Sequence, residues 1–225
     1  MNLWTVGILL TVNVKNKQEK KGVVSPFPHN LFFEKRTFVF FSLLFLNLVL
    51  VNIVDFFDLS NYFSNPGDGI DFKEDFLFII VFFGFVIPIF EEFVFRFWVR
   101  EKISKVILPL VLLILYIVYL DYHWFFNITF VIIFVVHVFY ISQNTDKTLI
   151  ISLLNGAVFA IFHIVNFPVN ELVSGFIYFP ILFLPQFVLG VFVCFIRKFG
   201  FRYSVFYHIL YNSLLILIEY VSVSI

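Results

Sequence analysis

The segment Glu91-Glu92-Phe93-Val94-Phe95-Arg96 places two adjacent carboxylates and an arginine inside a stretch of almost unbroken apolar residues. Moving one ionised side chain to the middle of a bilayer costs about 2.5–3.5 kcal/mol on insertion scales. Because of that cost, ionisable residues within membrane helices usually belong to functional sites. The segment therefore predicts a membrane helix that carries a site built on the Glu pair.

The composition of the whole chain is that of an integral membrane protein. Of the 225 residues, 61% are hydrophobic, 22% are aromatic and only 13% are charged, and the mean hydropathy is +1.00. A lipid-facing segment must satisfy its own backbone, and segments of alternating hydrophobicity typical of a barrel are not seen. We therefore expect an all-α fold, a polytopic transmembrane helical bundle.

Seven apolar stretches of spanning or near-spanning length predict seven helices. They are about Thr37–Phe57, Phe76–Ile103, Val106–Leu120, Trp124–Ile141, Leu149–Val165, Phe176–Ile196 and Tyr203–Ser224. The third is short and contains Pro109. We expect a single transmembrane domain over 37–225, preceded by a basic N-terminal segment at 1–36.

The basic residues predict the orientation of the bundle. All fifteen Lys and Arg residues except Lys73 fall on one side when the loops are numbered alternately. Basic loops stay in the cytoplasm, so the N-terminus is predicted to be cytoplasmic and the C-terminus to lie outside. The single cysteine, Cys194, cannot form an internal disulfide and is predicted to pack within the sixth helix. No basic-aromatic array predicts a nucleic-acid partner.

Three polar elements could carry chemistry. Glu92 and Arg96 are four residues apart and share a helix face, whereas Glu91 is rotated by about 100° and can point elsewhere. His163 lies well inside the predicted fifth helix. His208 and Asn212 share one face of the last helix and can enter the same cavity.

Each element also has a purely structural alternative. A lone His or Asn within the membrane is often interhelical hydrogen-bond glue worth about 1 kcal/mol, and we expect this of His123, His137, Asn47, Asn52 and Asn127. The pair of Glu92 and Arg96 has a structural explanation as well. Burying Glu91, His163 and His208 together would require three independent costs, which favours a site.

The order Glu-Glu-x-x-x-Arg, Phe-x-x-x-His and His-x-x-x-Asn, each on its own apolar helix, resembles the CPBP family. These are the CAAX proteases and bacteriocin-processing enzymes, also called the Abi family, whose eukaryotic members are the type II CAAX prenyl endopeptidases. The runs NGAVFAIFHIVNF (155–167) and LPQFVLGVFVCFIRKFGFRYSVFYHILYN (184–212) add to the likeness. The resemblance covers about 76–217, with an extra hairpin at about 106–141.

The resemblance implies an intramembrane endopeptidase in which Glu91 activates a water molecule for attack on a peptide bond. It implies that His163 assists with positioning or proton transfer, and that His208 and Asn212 stabilise the oxyanion. Glu92, Arg96 and Phe159 would support the site. The substrate would be a peptide or protein, lipid-modified in some family members, and the location the plasma (inner) membrane of a bacterium.

Metal use is left open by the sequence. Glu91, His163 and His208 would be the ligands of a zinc-dependent version, but no HExxH-type pairing is present, and we favour the metal-free route. Two alternatives to an enzyme remain, a non-catalytic immunity or binding protein on the same scaffold, and a proton-coupled transporter. The second would use the same ionisable residues as a relay.

Two further expectations concern the site's surroundings. If the second helix runs to Ile103, Glu91 lies roughly 18 Å from its cytoplasmic end, and His163 lies roughly 21 Å from the start of the fifth helix near Leu149. His208 lies only about 9 Å into the last helix. The residues after Arg96, Phe97-Trp98-Val99-Arg100, lack the glycine often found there in the family, and their bulk could alter access.

Overall fold

The computed structural model describes residues 29–55, 57, 59, 62–64, 71–99, 106–120, 124–143 and 147–224. The chain divides into two units, Met1–Arg36 and Thr37–Ile225, and the description below concerns the second. Predictions for most of the basic N-terminal segment, and for His123, Arg100, Lys102 and Lys105, fall outside the described residues.

Every regular element among the described residues is helical, as predicted. The helices are α1 (His29–Asp55), α2 (Phe76–Phe95), α3 (Ile107–Leu120), α4 (Trp124–Gln143), α5 (Thr148–Phe162), α6 (Val169–Ser174), α7 (Phe179–Leu182), α8 (Leu184–Ile196) and α9 (Phe201–Ser224). Single 3-10 turns at His163–Asn166, Phe176–Tyr178 and Arg197–Phe199 join some of them.

Three helices are long and apolar enough to cross a membrane, at Phe76–Phe95, Thr148–Asn166 and Phe201–Ser222. A fourth span results if Phe176–Leu182 and Leu184–Phe199 count as one bent segment. The apolar helices Arg36–Asn52 and Asn127–Ile141 are shorter. Within the described residues the structure thus supports three or four spans, and the predicted total of seven is not shown.

The predicted helix over Phe176–Ile196 is broken rather than continuous. Its two parts are bent by 40°, and α7 and α8 each begin with a proline in the first turn, Pro180 and Pro185. Proline has no N–H to donate to the preceding turn and disfavours helical backbone in the residue before it. The prolines therefore account for the break at Phe183.

A wide turn interrupts α2 just before the Glu pair. Residues 82–86 are π-helical, and the backbone N–H of Ile87 donates to the carbonyl of Phe82, five residues earlier. In the same register the carbonyl of Phe83 would need the N–H of residue 88, which is Pro88 and has none. The amide of Asn212 donates to that carbonyl at 3.2 Å, so a residue of α9 replaces the missing bond.

The second helix ends at Phe95, and the prediction that it continues to Ile103 is wrong. Arg96 has φ −135°, outside the helical region, and the next three residues form turns. An early end leaves carbonyl groups without helical partners, which a bundle interior must satisfy by other means. The Trp98 indole N–H donates to the carbonyl of Val94 at 3.0 Å. Asn155 and Arg197 supply further bonds, described below.

Helices α5 and α8 pack with their backbones in close contact. A Cβ built on Gly156 would lie 2.6 Å from the backbone oxygen of Phe187, and one built on Gly190 would lie 2.8 Å from the Cα of Gly156. Small residues of this kind allow membrane helices to approach closely. The contact fixes α5, the helix that leads to His163, against α8.

A second, smaller apolar cluster is formed by Phe63, Phe167 and Leu172. Ser64 donates from its backbone N–H and from its hydroxyl to the Glu171 carboxylate, at 2.8 and 3.0 Å. These contacts hold residues 62–64 against the segment that follows α5. Phe167 also lines the cavity described below, so this cluster closes one side of it.

The turn before α2 is organised by Asp71. Its Oδ1 accepts hydrogen bonds from the backbone N–H groups of Glu74 and Lys73, at 3.1 and 2.8 Å. These bonds, first the one from Glu74, hold the pKa of the exposed Asp71 carboxyl below its usual value of 3.8. Charged acceptors of backbone N–H groups are stabilised in this way.

Candidate active site

The polar side chains singled out in the sequence meet at one cavity of about 520 Å³. Its wall is formed mainly by α2, α8, α9 and the end of α5 with the residues that follow it, and Val51 of α1 and Leu113 of α3 contribute. Most of the lining is apolar. The polar residues of the wall are Glu91, His163, Asn166, Gln186, His208 and Asn212. Since Leu113 belongs to the extra hairpin, that hairpin also shapes the cavity.

Glu91 lies between two imidazole rings. Its Oε1 is 3.8 Å from Nε2 of His163, and its Oε2 is 3.4 Å from Nε2 of His208. The Glu91 side chain is 18% exposed, whereas Glu92 is completely buried. The rotation between adjacent helix positions therefore gives the two carboxylates different environments, with Glu91 as the one that faces the cavity.

His163 follows the last residue of α5 and begins the 3-10 turn that completes the apolar helix Thr148–Asn166, so it lies near the end of that helix. The helix ends there because Pro168 lies just beyond, and Phe167 before it is extended at φ −124° and ψ 143°. Nδ1 of His163 is 2.8 Å from the carbonyl of Phe159. A carbonyl only accepts hydrogen bonds, so Nδ1 carries the proton.

The tautomer of His163 determines what faces Glu91. With the proton on Nδ1, Nε2 of a neutral ring is an acceptor, and the carboxylate oxygen opposite it is also an acceptor. Two acceptors 3.8 Å apart can both bind one donor molecule placed between them. A water molecule that donates one hydrogen to each would present its lone pairs to the cavity.

His208 is held from behind by the buried ion pair. Its Nδ1 lies 2.9 Å from Oε1 of Glu92, and this carboxylate oxygen also accepts a hydrogen bond from Nη1 of Arg96. His208 is 1% exposed, and the side chains of Glu92 and Arg96 are fully buried. The predicted pairing of Glu92 with Arg96 is confirmed, and its consequence is a fixed orientation of the His208 ring.

Phe159 is the packing centre of the site. The Arg96 guanidinium carbon lies 4.4 Å from the centroid of the Phe159 ring, a cation–π contact. The same ring lies 4.6 Å from the His163 ring and 5.7 Å from the His208 ring, centroid to centroid. Phe159 is 0% exposed, and its ring contacts the guanidinium and both imidazoles, so it supports their relative positions.

Asn212 faces the cavity from α9, four residues after His208, as the spacing predicted. Its amide nitrogen donates one hydrogen bond to the carbonyl of Phe83 in the wide turn of α2. An amide nitrogen carries two hydrogens, so a second donor remains. Asn212 therefore has a structural contact in addition to any contact with a ligand.

Sequence reasoning missed two residues that organise the end of α2. Asn155 accepts from Nε of Arg96 and donates to the carbonyl of Phe95, both at 3.0 Å. Arg197 donates to the carbonyls of Arg96 and Phe97 at 3.2 and 3.3 Å. The available signal for Asn155 was an amide beside a glycine in an apolar helix. Arg197 was counted only as one of the basic loop residues.

Other predictions for single polar residues fare differently. His137 is buried, but it meets the Trp98 ring edge-on at 5.5 Å, and neither ring nitrogen has a hydrogen-bond partner among the described residues. Asn52 bonds to the carbonyl of Leu48 in its own helix. The prediction of an interhelical hydrogen bond is therefore wrong for Asn52, and at His137 no such bond is found among the described residues. Cys194 is buried, in agreement with a packing role.

The bulk that follows Arg96 packs away from the cavity. Trp98 and Val99 are 3% and 1% exposed and belong to the main apolar core. Trp98 meets Phe134 of α4 edge-on at 6.1 Å. The expected obstruction of the site by these residues is therefore not found, because the early end of α2 turns them toward α4.

The depths of the motif residues also change with the early end of α2. Glu91 precedes the last residue of α2 by four positions, which is about 6 Å along the axis, and not 18 Å. His208 lies seven positions after the first residue of α9, or about 10 Å. These two distances are similar, whereas His163 lies fifteen positions, or about 22 Å, after the first residue of α5, so the expected agreement between Glu91 and His163 is not found.

Among the described residues, no three His, Cys, Asp or Glu side chains are arranged to hold a metal ion, and this includes the set of Glu91, His163 and His208.

Comparison of the chain with protein-family models, with curated proteins and with solved structures gives no match. Any function must therefore be argued from the chemistry of the site.

Proposed function

We propose that this protein is an intramembrane endopeptidase of the CPBP type, in which Glu91 activates a water molecule. One observation supports this most, the position of the Glu91 carboxylate between Nε2 of His163 and Nε2 of His208 at the wall of the cavity. A carboxylate, an imidazole acceptor and a further imidazole in one apolar cavity are the parts that general-base hydrolysis needs.

In the first step, Glu91 and His163 hold the water by accepting its two hydrogens. Attack of the water oxygen on the carbonyl carbon of the substrate forms a C–O bond, and the proton released passes to Glu91. Positioning is a large part of the benefit, because a correctly oriented nucleophile avoids the entropy cost of a bimolecular encounter.

As this C–O bond forms, the carbonyl oxygen becomes an oxyanion. The second N–H of Asn212 is one proposed donor to it, and the doubly protonated ring of His208 is the other, because Nδ1 already donates to Glu92 and only a proton on Nε2 can reach the cavity. Fixed donors in an apolar cavity stabilise such charge strongly. The C–N bond then breaks, and Glu91 returns the proton to the leaving amine. The products are a free carboxyl group and a free amino group, so atoms and charge balance.

The proposal extends to the surroundings of the site. The chain would cross the plasma (inner) membrane of a bacterium seven times, with the N-terminus in the cytoplasm and the C-terminus outside. The positions of the basic residues support this orientation. The partner is a peptide or protein substrate, with lipid-modified peptides among those to test, and the reaction needs no metal.

The test is hydrolysis by the purified protein in lipid nanodiscs, with quenched fluorescent peptides, both plain and lipid-modified. Glu91→Gln is expected to lower the rate by about 10²–10⁴-fold, the usual contribution of a general base. Glu219→Gln is the matched control, because Glu219 is an exposed carboxylate on α9. In ¹⁸O-labelled water the new carboxyl group should gain one labelled oxygen.

Two outcomes would contradict the proposal. A wild-type rate equal to that of folded Glu91→Gln across the peptide set would favour the binding or immunity protein. Hydrolysis that disappears on chelation and returns with zinc would make the enzyme metal-dependent, with the same residues as candidate ligands.

A further inference from the structure

We propose that Asn155 is a positioning residue for this site, one that sets the orientation of His208 through Arg96 and Glu92. The inference rests on the proposed function only for its kinetic consequence. Its structural part, the orientation of a buried imidazole, can be measured in a protein with no known substrate.

Asn155 makes two hydrogen bonds at the end of α2, one as acceptor and one as donor. Its Oδ1 accepts from Nε of Arg96, and its Nδ2 donates to the carbonyl of Phe95, each at 3.0 Å. Only a side chain that both donates and accepts can make this pair of bonds, and an amide does so without carrying charge. Serine is too short to span both groups, and leucine makes neither bond.

The bonds fix the plane of the Arg96 guanidinium. Nε is held by Asn155, Nη1 points to Oε1 of Glu92, and the guanidinium carbon lies over the ring of Phe159. A guanidinium is rigid and planar, so fixing Nε and one face also fixes the direction of the remaining N–H groups. Asn155 thereby determines where Glu92 finds its partner.

The next contact carries the constraint to the cavity. Oε1 of Glu92, the atom that Arg96 binds, is also the acceptor for Nδ1 of His208 at 2.9 Å. The other ring nitrogen of His208 lies 3.4 Å from Glu91. A displacement of the Glu92 carboxylate therefore rotates the imidazole that faces the proposed base.

All the residues in this series of contacts are buried. Asn155, Glu92 and Arg96 are each 0% exposed, and His208 is 1% exposed. In such an interior a lost hydrogen bond is not replaced by bulk water, and the groups shift or remain unsatisfied. Asn155 does not line the cavity and touches no group that would react, so its role is indirect.

The experiment compares Asn155→Leu with the wild type and with Asn47→Leu. Asn47 is an equally buried asparagine on α1, outside the Arg96 network. Protein labelled with ¹⁵N at histidine is reconstituted in lipid, and the His208 signals are assigned by their loss in His208→Gln. Asn155→Leu should move the Nδ1 resonance of His208 away from the hydrogen-bonded position, and Asn47→Leu should leave it unchanged.

The kinetic arm uses the peptides described above. Misplacement of a catalytic group by about 1 Å can cost about 10²-fold, so kcat should fall by that order in Asn155→Leu. KM should change little, because no substrate contact is removed. If Asn155→Leu does not fold, Asn155→Ser shortens the side chain without adding volume and should shift the same resonance and lower kcat.

An unchanged His208 resonance in a folded Asn155 variant overturns the inference, as does an unchanged kcat. If the wild type hydrolyses no peptide and equals Glu91→Gln, the proposed function fails, and the NMR comparison alone decides the role of Asn155. The two failures are therefore distinguishable.

Discussion

Replacement of Arg96 by methionine tests the organisation of the site most directly. Arg96 is fully buried, and its loss would leave the Glu92 carboxylate buried without its cation. Breaking such a pair on one side costs about 3–5 kcal/mol. The hydrogen bond from Nε to Asn155 is lost as well and contributes about 1 kcal/mol. We therefore expect Arg96→Met to lower the free energy of unfolding by about 4–6 kcal/mol.

A second substitution separates the effect of charge from the loss of packing. In Glu92→Gln/Arg96→Met no charge remains at the pair, and the glutamine oxygen can still accept from His208. The remaining cost is that of imperfectly paired polar groups, about 1–3 kcal/mol. The double variant should therefore be more stable than Arg96→Met alone by about 2–3 kcal/mol, a coupling typical of contacting groups.

Steric trapping in lipid bicelles would measure these free energies of unfolding. Arg202→Met, at an exposed arginine of α9, is the matched control and should change stability by less than about 0.5 kcal/mol. The reasoning is refuted if Arg96→Met costs less than about 1 kcal/mol, or if the double variant is no more stable than the single one.

Three further predictions concern the framework around the site. Gly156→Ala should destabilise the protein by about 1–3 kcal/mol, because the new Cβ would lie 2.6 Å from the Phe187 backbone oxygen, which belongs to a packed helix. A thermal midpoint equal to that of the wild type would contradict this. Asn212→Leu should cost about 1–3 kcal/mol by leaving the carbonyl that it caps unpaired. Pro88→Ala in the same chain supplies an N–H for that carbonyl and should recover stability; a double variant no better than Asn212→Leu would show that the wide turn does not work in this way. For Asp71 the pKa is lowered in the folded state, so its stabilisation is present above pH 3.8 and is lost as the pH falls through the lower folded value. A carboxyl NMR titration of Asp71 should give a midpoint below 3.8, and a midpoint at or above 3.8 would contradict the prediction. Asp71→Asn should remove the contribution of this residue to the pH dependence of stability.

Helical spacing was enough to predict which polar side chains of the same helix share a face. Glu92 and Arg96 are four residues apart and form the predicted ion pair, and His208 and Asn212 reach the same cavity. These predictions depend only on the 3.6-residue period of a helix, which holds wherever the helix is regular. The all-helical character of the described residues followed in the same way from composition and backbone satisfaction.

The ends of the helices could not be predicted in this way. The apolar residues Phe97, Trp98 and Val99 continue the run beyond Arg96, so hydropathy does not place the end of the helix at Phe95. The stop comes from Asn155 and Arg197, which lie 60 and 101 residues away from their backbone partners. Contacts over such separations depend on which helices are neighbours, and a single sequence does not contain that information in its periodicity.

The same distant contacts explain why the site lies in the last turn of α2. A helix that ends inside an apolar bundle exposes carbonyl groups, and here Trp98 of the following turn, Asn155 and Arg197 bond to them. Here one of those side chains, Asn155, bonds to the helix end and to the guanidinium that holds Glu92. One amide group thus contacts both the end of α2 and the guanidinium whose partner, Glu92, accepts from His208. Arg197 donates to the backbone carbonyls of Arg96 and Phe97 in the same turn, so it stabilises the helix end. Arg197 caps the helix end by bonding to the Arg96 carbonyl, whereas Asn155, the proposed positioning residue, bonds to the Arg96 guanidinium.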